Sequence, residues 1–202
     1  ALTDGPGRDT RTTFRWQRID PERDGVPVDR PILMRATHDD TMATGFWVDR
    51  VSGDVEPREL LGADAALSFS DWGDAAHTML FTRQTFAEYP DLWVGDLSLG
   101  REDASAAALS EVRKVTDLGA QTEPYIWGNA EMRTFRSADG LPLKGILIKP
   151  ENFDPDKKYP LMVYIYETLH QGLHRFRNPS PGSSVNPAYY VSNGYVLWMP
   201  DI

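Results

Sequence analysis

Gly-Phe-Trp-Val at residues 45–48, the segment that most constrains the fold, has a second copy further along the chain. It is matched by Asp-Leu-Trp-Val at residues 91–94, which lies 46 positions later. The segments that precede the two copies, Ile-Leu-Met-Arg at 32–35 and Leu-Phe-Thr-Arg at 80–83, are also alike and lie 48 positions apart. A repeat of roughly 40–50 residues with several short strands is typical of β-propeller blades. Chance similarity within an aromatic-rich β-sandwich is the alternative that these residues leave open.

Outward from this repeat, the first 128 residues have the pattern of an antiparallel sheet. Short apolar and aromatic runs alternate with clusters of Gly, Asp, Pro and Ser. In this part of the chain, Ala104–Ser110 is the segment with helical character, although its small residues also fit a surface insertion. The predicted strands are Phe14–Ile19, Ile32–Thr37, Gly45–Arg50, Leu67–Phe69, Thr78–Arg83, Leu92–Leu97 and Val112–Thr116.

A hairpin is predicted where the pattern changes, after about residue 128. Its strands are Met132–Ser137 and Leu143–Lys149, and the Asp139-Gly140 pair between them is typical of a tight turn. The fold expected for the whole chain is therefore mixed, with all-β propeller blades followed by a second type of sheet.

The second sheet is predicted to be of the α/β type. Leu161–Tyr166 is a continuous apolar run, which is typical of a strand buried on both faces of a parallel sheet. A short helix at Ala188–Ser192 and a second buried strand at Tyr195–Met199 follow it. Such a sheet normally has further strands, so we expect its remainder to lie elsewhere.

Composition excludes several classes of partner. The chain has 202 residues, a formal net charge of −9 and no cysteine. A net negative charge disfavours nucleic acids and anionic membranes, both of which select clustered Lys and Arg. No window approaches the roughly 20 apolar residues that span a bilayer. We expect a soluble protein, and a cytoplasmic and a periplasmic location both stay open.

The two ends are typical of a segment taken from a longer polypeptide. The chain begins Ala-Leu-Thr-Asp-Gly, without an initiator Met, and ends at Ile202 directly after an apolar run. We therefore expect the unfinished sheet to be covered by the remainder of its domain or by a second copy in a homo-oligomer.

Five segments in the second half occur in an order and spacing that resemble a known family. They are KVTD (Lys114–Asp117), YIWGNAEM (Tyr125–Met132), FRSADGLPLKGILIKP (Phe135–Pro150), FDPDKKYPLMVYIY (Phe153–Tyr166) and NGYVLWMPDI (Asn193–Ile202). Together they resemble the propeller–hydrolase junction of the prolyl oligopeptidase family of serine peptidases, which includes dipeptidyl peptidase IV and acylaminoacyl peptidases. Upstream, FTRQTFAEYPDLWVGDL (Phe81–Leu97) is similar to the last full blade. The resemblance implies C-terminal propeller blades at 1–128 and a truncated α/β-hydrolase domain at 129–202.

The resemblance also implies one catalytic contribution from this chain. Tyr166 matches the tyrosine with which the family stabilises the oxyanion, and the alternative is a Tyr166 that packs with its hydroxyl bonded to a backbone carbonyl. Glu167, His170 and His174 are candidates for the substrate cleft beside it. Many members have a Gly-Gly-Pro type turn after this strand, whereas residues 167–172 read Glu-Thr-Leu-His-Gln-Gly. This departure changes how the backbone can turn beneath a substrate.

The catalytic triad itself is expected outside the chain. An α/β-hydrolase places its nucleophile on a G-x-S-x-G elbow, and no such motif occurs in these residues. The function implied is that of a serine peptidase fragment, inactive alone, whose parent hydrolyses short peptides without a metal or organic cofactor. A non-catalytic propeller-type binding module and an esterase-like α/β-hydrolase are the alternatives.

Metal sites are weakly indicated. His170 and His174 have the four-residue spacing of zinc metallopeptidase helices, but Gln171 stands where the general base would be. The aspartates at 39–40, 71 and 74 do not follow the alternation of a calcium loop. We therefore expect turn aspartates and loop histidines without a metal.

Overall fold

The computed structural model describes residues 11–19, 25–53, 56–73, 77–100, 104–179 and 184–202. The strands are β1 (Thr12–Trp16), β2 (Ile32–His38), β3 (Thr44–Asp49), β4 (Arg58–Ala63), β5 (Ala66–Gly73), β6 (Thr78–Gln84), β7 (Asp91–Ser98), β8 (Ala108–Lys114), β9 (Asn129–Arg136), β10 (Pro142–Lys149), β11 (Leu161–Val163) and β12 (Val196–Pro200). The α-helix is α1 (Pro187–Ser192), and 3-10 turns occur at Ala104–Ala106, Leu118–Thr122 and His170–Gly172.

The described residues form three sheets of four strands, and the predicted fold class is wrong. The structure is nearly all β, with 45% strand and 10% helix, and neither a closed propeller nor the helices of an α/β-hydrolase occur among the described residues. A propeller closes with at least about four four-stranded sheets, whereas β1–β8 form two. The parallel sheet of an α/β fold needs a helical crossover between successive strands. The single parallel pair, β11 with β12, is joined by a segment whose described α-helix has six residues.

The sequence repeat corresponds to the middle strands of the first two sheets. The sheet orders are β1-β2-β3-β4 and β5-β6-β7-β8, so the copies lie on β2–β3 and β6–β7. Met34 is opposite Trp47, and Phe81 is opposite Trp93. In the strand register Met34 and Phe81 are therefore equivalent, and they lie 47 positions apart. The sequence comparison had aligned these two strands with an offset of 48. The similarity therefore reflects equivalent positions in two antiparallel sheets.

Two predictions in this half were wrong in detail. The segment Ala104–Ser110 forms a 3-10 turn and then enters β8, because its later residues pair with β7. Strand β4 was not predicted, since its sequence Arg-Glu-Leu-Leu-Gly-Ala has exposed charged residues at its start. An edge strand tolerates such residues, so its apolar pattern is weak.

The chain divides into two compact units. The first comprises Ala1–Arg83 and Asp91–Asp117, and the second comprises Gln84–Pro90 and Leu118–Ile202. The core of the first unit is a cluster of six side chains that are at most 1% exposed. Phe46 and Phe81 lie in this cluster with ring centroids 5.4 Å apart in an edge-to-face arrangement. The cluster consists of Leu33, Phe46, Leu67, Met79, Phe81 and Leu97.

The second unit contains the predicted hairpin and the third sheet, whose order is β11-β12-β10-β9. Strands β9 and β10 pair antiparallel along their whole length. The turn between them closes with a 2.9 Å bond from the Ser137 N–H to the Leu141 carbonyl. Gly140 has a φ of 82°, which favours glycine at this position. The hairpin with an Asp139-Gly140 turn is confirmed.

Strand β11 differs from its prediction. Six residues were expected in a strand buried on both faces, but the strand ends at Val163. Leu161, Val163 and Ile165 are 57%, 43% and 59% exposed. The side chains of Leu161 and Val163 point to the same face of the sheet, so their exposure shows that no described element covers this face of β11, which is also an edge strand. No helix of the described ranges is both long enough and apolar enough to cross a membrane.

An ion-pair network on β9 and β10 gives a pH-dependent prediction. The Glu131 carboxylate lies 2.7 Å from Lys149 Nζ and 2.7 Å from Arg133 Nη2. Burial alone would raise the pKa of Glu131, but the bonds to Lys149 and Arg133 outweigh it and hold the pKa below its ordinary value. Because the pKa of Glu131 is lower in the folded chain, its ionised carboxylate stabilises the fold at pH values above the ordinary glutamate pKa. This stabilisation is lost as the pH falls through the folded-state pKa.

We therefore expect Glu131→Gln to lower the free energy of unfolding by about 0.5–1 kcal/mol at neutral pH, because the pair is partly exposed. Urea unfolding at pH 7 and at about pH 3, below the ordinary glutamate pKa, measures this difference. It should shrink at the lower pH, and an equal difference at both values would contradict the electrostatic explanation.

Candidate functional site

The candidate site is the loop that follows β11, and four hydrogen bonds hold it to β12 and to the two residues that follow β12. The Tyr164 N–H donates to the Trp198 carbonyl at 3.0 Å, and the Ile202 N–H donates to the Glu167 carbonyl at 3.2 Å. Further along, the N–H groups of Leu169 and His170 both donate to Asp201 Oδ1, at 2.7 and 3.0 Å. The loop is thus attached on both sides of residues 165 and 166.

Tyr166 projects from the stretch between these attachments. Its side chain is 60% exposed. Within the described ranges its hydroxyl has no hydrogen-bond partner. Among the described residues, therefore, no backbone carbonyl accepts a hydrogen bond from this hydroxyl. A phenol in this state can donate to a ligand oxygen, which is what oxyanion stabilisation requires.

His170 and Asp201 form the most tightly bonded pair of the site. Nδ1 of His170 lies 2.5 Å from Asp201 Oδ2, and both side chains are 12% exposed. The carboxylate therefore binds the imidazole with one oxygen and two backbone N–H groups with the other. One aspartate thereby fixes both the ring and the turn that carries it.

Sequence reasoning missed Asp201. The residue directly follows β12, in the segment Met-Pro-Asp-Ile, and it is 8% exposed. A buried carboxylate needs bonding partners, so an aspartate after a buried strand run was the available signal. Its partner His170 is 31 positions away.

The other predicted residues have separate surroundings. Glu167 is exposed and lies in the attached loop. His174 is half-buried and follows the 3-10 turn His170–Gly172, so that the two histidines do not share an α-helix. The structure brings His170 together with Asp201. The four-residue spacing of His170 and His174 does not correspond to one face of an α-helix.

The residues considered as metal ligands have other roles. Asp40 accepts from Arg11 Nη1 at 2.9 Å, and Asp71 accepts from the Trp72 N–H at 2.8 Å. Asp74 lies outside the described residues. Across the described part of the chain, no group of three or more His, Asp or Glu side chains could hold a metal ion.

A cavity in the same unit is lined by residues other than those of the candidate site. Its volume is about 510 Å³, within the range of small-molecule sites. Its floor contains Trp127 and Phe176, with ring centroids 4.7 Å apart, and its rim contains the exposed Tyr125 and Tyr189. None of its lining residues is charged. Thr122, Ile126, Asn178, Pro179, Asn186, Ala188 and Ser192 complete the lining.

A scan against protein-family models finds no match for this chain. The geometry of the site therefore carries the functional interpretation, together with the resemblance described above.

Proposed function

We propose that this chain supplies the oxyanion-binding segment of a serine peptidase that hydrolyses short peptides. The catalytic Ser, His and Asp would lie outside these 202 residues, and the chain alone would be inactive. The observation that carries the proposal is the exposed Tyr166, whose hydroxyl has no partner among the described residues and whose loop is attached on both sides. A preorganised donor of this kind stabilises charge in the transition state because it needs no reorganisation during the reaction.

The short segments that resemble the prolyl oligopeptidase family support the proposal in a second way, since in this resemblance Tyr166 corresponds to the family's oxyanion tyrosine. The attachment through Asp201 supports it as well. Where many members have glycines after the strand, this chain has a loop held by one side-chain carboxylate. A fixed loop is compatible with the ångström-level placement that catalytic groups need.

The test uses the polypeptide that the source gene encodes. A fluorophosphonate probe, which reacts with activated serines, should label it, and it should hydrolyse peptide amides as well as the corresponding esters. The isolated 202-residue chain is the control and should stay unlabelled. An unlabelled full polypeptide would refute the serine peptidase, and turnover of esters alone would favour an esterase.

A non-catalytic binding module is the second candidate, and the uncharged aromatic cavity favours it. Exposed aromatic rings bind peptides and other neutral ligands by stacking and apolar contact. This candidate predicts that peptides bind to the polypeptide and quench the fluorescence of Trp127. It also predicts that the fluorophosphonate probe does not label the polypeptide.

A further inference from the structure

The two ring nitrogens of His170 have different surroundings. Nδ1 faces the Asp201 carboxylate at 2.5 Å. An ionised carboxylate can only accept hydrogen bonds, so the ring must carry a proton on Nδ1. Asp201 therefore fixes the tautomer of His170 as well as the orientation of its ring.

Nε2 is the polar atom of this ring that remains for a ligand. It has no hydrogen-bond partner among the described residues. Nε2 is also not among the buried side-chain atoms that lack a hydrogen-bond partner in the described ranges, so it is accessible to solvent in part. A ring that is 12% exposed in its side chain thus presents Nε2 to solvent. In this arrangement Nε2 accepts a hydrogen bond when the ring is neutral and donates one when it is charged.

We propose that His170 binds the peptide substrate through Nε2 and that Asp201 is the positioning residue that aims it. The inference rests on the proposed function, because it takes the peptide to be the ligand of this loop. A peptide backbone offers N–H groups to a neutral imidazole and carbonyl or carboxylate oxygens to a charged one. His170 and Tyr166 lie in the same attached loop, so one bound peptide is the occupant that would use both.

Two substitutions of His170 separate substrate binding from a structural role. His170→Asn can keep an N–H near the position of Nδ1, and with it the bond to Asp201, but it removes Nε2. His170→Gln can place an N–H near the position of Nε2 but loses the bond to Asp201. Substrate binding predicts that His170→Asn raises the KM of the full polypeptide for peptide amides by about 3- to 10-fold, the range of one hydrogen bond. The kcat should stay within about twofold, and His170→Gln should raise the KM less.

A purely structural role predicts the reverse order. His170→Asn would then behave as the wild type, and His170→Gln would be impaired in KM and in thermal stability together. That result would overturn the inference and leave the proposed function intact.

A second measurement uses the chain itself and needs no peptidase activity. Long-range ¹H–¹⁵N spectra of the imidazoles should show the Nδ1–H tautomer for His170, and Asp201→Ala should change it. Addition of an equimolar mixture of tetrapeptides at millimolar concentration should shift the Nε2 signal, with weaker binding in His170→Asn. If these shifts occur while the full polypeptide hydrolyses no peptide, the proposed function fails and peptide binding by His170 stands. Unmoved His170 signals would overturn the inference.

Discussion

Tyr166→Phe is expected to lower kcat for peptide amides by about 10²–10³ in the full polypeptide, with little change in KM. The substitution removes one hydroxyl from a side chain that is 60% exposed. Loss of a single oxyanion donor typically has this effect, because the donor acts on charge that develops only in the transition state. Steady-state kinetics with a chromogenic peptide amide would measure both constants.

Stability should not change in the same variant. The hydroxyl has no hydrogen-bond partner among the described residues, so its removal leaves no polar group unsatisfied. Tyr189→Phe is the matched control, since Tyr189 is 62% exposed and belongs to α1 rather than to the loop. Its kcat should stay within about twofold of the wild type. A Tyr166→Phe enzyme with kcat within about threefold of wild type would refute the oxyanion role.

Phe46→Ala is expected to lower the free energy of unfolding of the first unit by about 3–5 kcal/mol. Phe46 is 0% exposed and contacts the ring of Phe81 edge to face, in the cluster shared by the first two sheets. Truncation loses the apolar transfer free energy of the ring and leaves a cavity that a close-packed core fills only in part. Such a loss is a large fraction of the 5–15 kcal/mol that stabilises a typical domain.

Because the chain divides into two units, hydrogen exchange resolved by residue is the appropriate measurement. The amides of β2, β3, β6 and β7 should exchange faster in Phe46→Ala, and those of β9 and β10 should not. Phe46→Leu should lose less, about 1–1.5 kcal/mol, because it keeps the site apolar. Val115→Ala is the surface control, since Val115 is 53% exposed, and its effect should be within about 0.5 kcal/mol. An equal loss of unfolding free energy in Phe46→Ala and Val115→Ala would contradict the assignment of Phe46 to the core.

The sequence predicted local structure better than it predicted the fold class. The repeat around Trp47 and Trp93 corresponds to the central strands of two antiparallel sheets, and the Asp139-Gly140 turn closes the hairpin. The α1 helix also lies where Pro187 and Gly194 predicted it, and the Asn186 side chain caps its start. The fold class was wrong because short segments that resemble parts of large folds do not specify how many sheets form or whether they close.

The surroundings of Tyr166 differ from the prediction. Tyr166 was expected at the carboxyl end of a buried strand, but β11 ends at Val163 and Tyr166 lies exposed in the loop that follows. The apolar residues of this strand were interpreted as core, but burial depends on which elements cover the two faces of a sheet. Leu161 and Val163 lie on a face that no described element covers, so they are exposed.

The sequence by itself determined the strands of the repeat, the hairpin turn and the short helix, because side-chain sterics and backbone preferences act over a few residues. Only the tertiary structure decided that β11 is an edge strand and that Asp201 binds His170 across 31 positions. The physical reason is that the energy of a buried carboxylate and the exposure of an apolar strand are both set by neighbours that are distant in sequence. A local sequence pattern does not show which distant residues become neighbours in the folded chain.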